Sequence, residues 1–296
     1  MNTISVVSGL ADLADRYDAF IIDLWGVLHD GAAPYPGAID SLTRLRAAGK
    51  AVVLLSNAPR PSDIVARRLD ELGFARDLYD AVMTSGQQTW RHLKDRPDEW
   101  YQGLGQACYM LGPEKDKGIL DGLELNRVAS LDQASFILNT GADFGETLDQ
   151  YEPLLRDGVA RGLPMICANP DLVVIHQGNR EICAGALAAH YESLGGTVRY
   201  HGKPHADVYE VCFNLMPSRP AAGRTLGIGD SLRTDIAGAR AAGIDSLFVI
   251  GGIHAQELGV AEGDVPPVER LTALCRAADL LPTHAVGRFV WAAQSE

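Results

Sequence analysis

Asp23 stands at the end of an apolar run, Ala19-Phe20-Ile21-Ile22, and is followed by Leu24-Trp25-Gly26-Val27, so a carboxylate passes from a buried strand straight into a glycine turn. That placement suits a nucleophile, because a carboxylate that accepts a transferred group splits one difficult transfer into two easier steps. The pattern recurs far downstream. Thr225-Leu226-Gly227-Ile228-Gly229 leads into Asp230, and Asp235 follows within Ser231-Leu232-Arg233-Thr234-Asp235. Carboxylates distant in sequence can meet at such positions, since ligands of a doubly wound sheet bind beyond the carboxyl ends of its strands. The pairing of Asp23 with Asp230 points to a hard-metal site, and magnesium fits it best, taking a few carboxylate oxygens together with substrate oxygens and waters. The structural alternatives are a turn-forming Asp at position 23 and, at Asp235, a cap on a helix from Ile236 to Ala242, with Thr234 competing for that role.

The elements that must position these groups alternate. Ala19 to Asp23, a helix-spaced segment from Ile39 to Ala48, Ala51 to Leu55, and a second helix from Ser62 to Leu72 form a βαβα beginning, with Gly49 and Gly73 as stop signals. Val52-Val53-Leu54-Leu55 lacks polar alternation, as expected of a parallel sheet covered on both faces. A second alternation runs through Cys108 to Leu111, Ser135 to Leu138, a long helix Leu148 to Ala160, Met165 to Ala168, Val173 to Ile175 and a helix Ala184 to Leu194. The chain then completes the first sheet at Thr225 to Ile228 and Ser246 to Ile250. The expected architecture is a doubly wound parallel α/β core in two parts, 1–104 and 199–296, with an α/β cap inserted at 105–198.

Composition narrows the function. A formal charge of −12 with scattered Lys and Arg offers no basic stripe for a nucleic-acid backbone. No window is long and apolar enough to span a membrane and no signal-peptide pattern opens the chain, so a cytoplasmic protein is expected. The 5 cysteines contain no C-x-x-C pair and read as reduced packing residues. His201 and His205 have a zinc-like helical spacing, but Pro204 between them argues against a helix there. Gly196 to Lys203 is one residue too long for a Walker A loop, and Leu232 stands where a dinucleotide fingerprint needs its third glycine.

Asp23, the Leu54-Leu55-Ser56-Asn57 segment, Gly202-Lys203-Pro204 and the Asp230 to Asp235 segment resemble, in order and spacing, the four motifs of the haloacid dehalogenase superfamily of hydrolases. The resemblance is closest to class IIA, in which a large α/β cap lies between the second and third motifs, the class of nucleotide-sugar, p-nitrophenyl phosphate and pyridoxal phosphate phosphatases. It implies a Rossmann-like core and magnesium held by Asp23, Asp230, the backbone carbonyl of Trp25 and Asp235. It further implies Lys203 as a fixed catalytic cation beside Asp23, and Ser56 and Asn57 as phosphate-binding groups. Asn169-Pro170-Asp171 is the segment most like the cap's specificity signature, which makes Asn169 and Asp171 candidate substrate contacts. The implied partner is a small phosphate ester, with homodimerisation through the cap a further implication and no nucleic-acid or membrane partner.

One position departs from the family. Its phosphatases carry a second Asp two residues after the nucleophile, where this chain has Trp25. An indole cannot exchange a proton at useful pH, and loss of a general acid or base costs on the order of a hundred to ten thousandfold in rate. The expectation is a slow phosphatase, or one biased toward good leaving groups, with His29 and Asp30 as candidate substitutes in the turn-rich segment that follows. Two rival readings stay open. The haloacid dehalogenases proper also place an aromatic residue at that position and need no metal, and a metal and phospho-ligand binding module without turnover would keep the same carboxylates.

Overall fold

The computed structural model describes residues 4–176, 179–261 and 263–292. It separates into two compact units, one formed by Met1–Ser56, Ala66–Met83 and Lys203–Glu296, the other by Asn57–Val65 and Thr84–Gly202.

The first unit holds a seven-stranded sheet in the order Ser5–Val6, His284–Val286, Asp245–Val249, Thr225–Gly229, Ala19–Ile22, Ala51–Ser56, Ala81–Thr84. Neighbours from the first through Ala51–Ser56 pair in parallel. The central strands Ala19–Ile22 and Thr225–Gly229 are buried along their whole length, as in a parallel sheet covered on both faces. Ile21, Val53 and Leu55 join Val208, Tyr209, Cys212 and Phe213 of the helix Ala206–Leu215 in one buried cluster. Leu232, Ile236, Phe248, Ile250, Leu271 and Cys275 form another. Each such side chain, fully buried, stabilises the fold by roughly 1.5–3 kcal/mol, which is what fixes the strand ends in space.

The second unit has its own five-stranded parallel sheet, ordered Val198–Tyr200, Met165–Cys167, Phe136–Asn139, Ala107–Leu111, Asn126–Val128, and a separate antiparallel hairpin of Val173–His176 with Asn179–Ile182. The helices Leu148–Ala160 and Ala184–Ser193 pack on that sheet through Leu155, Leu187, Ala188 and Tyr191. A Thr147–Gln150 capping box starts the longer one.

This unit is wider than the 105–198 insert expected from the sequence. The helices Ser85–Asp95 and Glu99–Gln102 bury Leu93 and Tyr101, with Leu104, against Cys108, Phe136, Leu138 and Ile166, so their apolar faces are spent on the second sheet. The segment Asn57–Val65 is tied to the same unit: Gly86 N–H donates to the Ala58 carbonyl at 3.0 Å and the Thr84 hydroxyl to the Arg60 carbonyl at 2.5 Å. All 5 cysteines are buried and none is in a disulfide. Among the described residues no helix is long and apolar enough to cross a membrane.

Candidate active site

Register sets the site. Ile22 pairs with Ile228 on one side and Leu54 on the other, so the chain leaves all three strands at one edge, with Asp23, Ser56 and Asp230 there. Asp23 N–H donates to the Ile228 carbonyl at 2.9 Å, which holds the nucleophile candidate to the next strand. Asp23, Asp230 and Asp235 are all buried, and each offers a carboxylate oxygen within 4.8 Å of the others. Lys203, 3% exposed, donates through Nζ to Asp23 Oδ1 at 2.5 Å and to Asp235 Oδ1 at 2.7 Å. Ser56, also buried, closes its strand.

Close approach explains the glycines. Gly26 has φ +81°, and a Cβ there would lie 2.1 Å from Asp230 Oδ2. A Cβ at Gly252 would likewise lie 2.1 Å from Asp230 Oδ2, and Ile253 N–H donates to that oxygen at 2.8 Å. Asp235 folds back over Gly229 and accepts from Ser231 N–H at 3.0 Å. Ser231 itself caps the turn Leu232–Ile236, its side chain accepting from Thr234 N–H, so neither Asp235 nor Thr234 caps the helical segment Ala237–Ala241 that follows. A cap one turn earlier frees the Asp235 carboxylate to face Lys203.

Three clustered carboxyl groups with one ammonium, which bridges Asp23 and Asp235, crowd negative charge in a buried place. Burial, then the fields of Asp23 and Asp235, drive the Asp230 carboxyl well above its usual range. An all-oxygen donor set with uncompensated charge is what a hard divalent cation requires, so these residues fit magnesium.

Trp25 does not extend the set of titrating groups. Its indole lies on Gly31, where a Cβ would meet the ring at 2.2 Å, and edge-on to His29 with centroids 5.6 Å apart. His29 is buried, which pushes its pKa down to about 4, and its Nδ1 accepts from Gly31 N–H at 3.0 Å. Asp30 accepts from Ala32 and Ala33 N–H, bonds that hold its carboxyl below the usual range. Both substitutes considered from the sequence are therefore employed in shaping their own loop. The histidine pair lacks helical spacing, since the helix begins only at Ala206, after His201 and His205.

The remaining expected contacts belong to the second unit. Asn57 Nδ2 donates to Asp171 Oδ1 at 2.9 Å, and the Asp171 backbone N–H to Asn169 Oδ1 at 3.0 Å, so the three residues form one polar cluster. Sequence reasoning missed Ser231, Gly252 and Ile253. The glycine pair Gly251-Gly252 directly after an apolar strand was the available signal.

A haloacid dehalogenase-like hydrolase family matches residues 20–126, and a second, described as HAD-hydrolase-like, matches residues 200–273. Ribonucleotide monophosphatase NagD of Escherichia coli K12 is 30% identical over 246 residues, covering 79% of this chain and 88% of that protein. D-glycerol 3-phosphate phosphatase of Mycobacterium tuberculosis is 28% identical over 251 residues, covering 83% of this chain and 66% of its own length. A crystal structure of a haloacid dehalogenase-like hydrolase from Brucella suis 1330 superposes with a TM-score of 0.81 at 34% identity, covering 96% of this chain and all of that one. The strand-end carboxylates, the inserted α/β unit and these matches agree, and the chain belongs to the haloacid dehalogenase-like hydrolases.

Proposed function

We propose that this chain hydrolyses a phosphate monoester of a small metabolite through an aspartyl-phosphate on Asp23. The observation that carries the reading is the meeting of the Asp23, Asp230 and Asp235 carboxyl groups, with the Lys203 ammonium bridging Asp23 and Asp235. The relatives named for ribonucleotide and glycerol phosphate hydrolysis support the substrate class.

In this reading Asp23 attacks phosphorus and the leaving oxygen departs. Lys203 aligns Asp23 and balances charge on the transferring group, a preorganised interaction of the kind worth roughly 10²–10³ in rate. Ser56 holds a phosphate oxygen. Asn57, Asn169 and Asp171 offer amide and carboxylate groups to the rest of the substrate. Asp23, Asp230, Asp235 and the Trp25 backbone carbonyl would hold Mg2+, which when bound offsets the repulsion between carboxylate and phosphate. Because the indole of Trp25 supplies no proton to the leaving oxygen, aryl and acyl phosphates are favoured over alkyl phosphates, whose alkoxide leaves poorly.

A panel of phosphate esters assayed with magnesium tests this, with Asp23→Asn as control. Phosphate release from the wild type, strongest on aryl esters and lost in Asp23→Asn, is expected. Chloride release from 2-haloacids without magnesium would show a dehalogenase instead, and tight ligand binding with neither product nor phosphoenzyme would show a binding module.

A further inference from the structure

In the second unit, the strands Met165–Cys167 and Val198–Tyr200 pair in parallel with Tyr200 opposite Cys167, and just beyond them His201 N–H donates to the Cys167 carbonyl at 3.1 Å. The next two carbonyls, those of Ala168 and His201, meet one side chain. The Ser85 hydroxyl donates between them and lies 2.8 Å from the His201 oxygen. Ser85 opens the helix Ser85–Asp95, and along the same face, three and seven residues on, stand Gln88 and His92. Gln88 Oε1 accepts from Gly202 N–H at 2.8 Å, and the His92 ring packs on that of His201 with centroids 4.5 Å apart. Ser85 and Gln88 are both buried. Buried polar groups cost stability unless they are bonded, so a helix face that could have been apolar is given instead to holding the turn His201–Gly202 and the strand end at Ala168.

Those two places support the polar cluster. Ala168 precedes Asn169, whose Oδ1 accepts from Asp171 N–H. Gly202 has φ +94°, and a Cβ there would lie 2.4 Å from Asn57 Oδ1 and 2.8 Å from Ser85 Cβ, so the oxygen of the Asn57 amide rests against this glycine. The nitrogen of the same amide donates to Asp171.

Resting on the reading in which Asn57, Asn169 and Asp171 meet the substrate of a phosphatase, we infer that Gln88 and Ser85 are positioning residues for substrate recognition. Gln88 fixes Gly202 and through it the Asn57 amide. Ser85 fixes Ala168 and through it Asn169. Their effect falls on substrate affinity, and the phosphoryl transfer to Asp23 is left as it is.

The test is steady-state kinetics with magnesium on 4-nitrophenyl phosphate and glycerol 3-phosphate, for wild type, Gln88→Leu, Ser85→Ala, Asn57→Ala and the double variant of Gln88→Leu with Asn57→Ala. Solvent exchange of the Asn57 side-chain amide, followed by NMR, supplies a readout that does not depend on turnover. Gln88→Leu should raise KM by about tenfold and Ser85→Ala by about threefold, each with kcat within about twofold of wild type. Adding Gln88→Leu to Asn57→Ala should raise KM no further, because residues that act through a shared partner are not additive. The Asn57 amide should exchange about tenfold faster in Gln88→Leu. Wild-type KM in both single variants, effects that multiply in the double variant, unchanged Asn57 exchange, or a fall in kcat with KM unmoved would overturn the inference while the phosphatase reading stands. If Gln88→Leu does not fold, Ser85→Ala decides by the same KM and kcat criteria. A wild type that releases no phosphate from either ester would overturn both.

Discussion

Each unit presents a carboxyl edge of parallel strands, but the two edges carry different chemistry. At the edge of the core sheet the side chains are acidic and basic, three carboxyl groups with oxygens within 4.8 Å of one another and Lys203 bridging Asp23 and Asp235. At the edge of the second unit's sheet they are amides with one carboxylate: Asn139 spans the Ala184 carbonyl and Gly141 N–H, and Asn169 and Asp171 follow the strand Met165–Cys167, with Asn57 donating to Asp171. Charge concentrated in a buried place suits a reaction that moves a phosphoryl group, because fixed charges act strongly where water is excluded. Amides donate and accept alike, which suits discrimination among polar ligands. One scaffold type thus serves two purposes, according to which residues follow its strands.

That contrast predicts unequal sensitivity. Replacing Lys203 by Met, which removes the core's fixed cation, should lower kcat by roughly 10²–10³. It should also lower stability by about 3 kcal/mol, because three buried carboxylates lose their counter-charge. A loss below tenfold in rate would show that the ammonium is merely structural. Trp25→Asp should act in the opposite direction, raising kcat on an alkyl phosphate by about a hundredfold while leaving the aryl rate within about threefold. Equal gains on both esters would break the leaving-group argument. In the second unit, Asp171→Asn keeps the size of the side chain and should change KM by about tenfold with kcat nearly constant. A fall in kcat as large as that for Lys203→Met would erase the distinction between the two edges.

Much of the core edge was legible in the sequence because each carboxylate follows an apolar run and the runs fix where the chain emerges. Asp23 after Ala19–Ile22 and Asp230 after Thr225–Gly229 are such cases. Lys203 was legible only through family resemblance, since an isolated Lys in a turn carries no pattern of its own. The helices came through at Leu148–Ala160 and Ala184–Ser193, where buried residues recur at helical spacing. The hairpin strand Asn179–Ile182 did not, because Asn179, Arg180 and Glu181 are polar and its pairing with Val173–His176 is a property of the partner strand. The boundary of the second unit was placed late because Ser85–Asp95 reads as one more amphipathic helix, and only packing reveals which sheet its apolar face covers. Ser231 and Ile253 contribute to the site through a cap and a backbone amide, features that the identity of a residue does not announce.

The most direct test of the whole account is calorimetric titration of Mg2+ into the chelator-treated protein, alongside Asp230→Asn. The expected result is uptake of one ion per chain by the wild type and none, or at least tenfold weaker uptake, by the variant, since the variant lacks a carboxylate of the cluster. No heat from the wild type, or equal binding by both proteins, would contradict the claim that the strand-end carboxylates share a divalent cation.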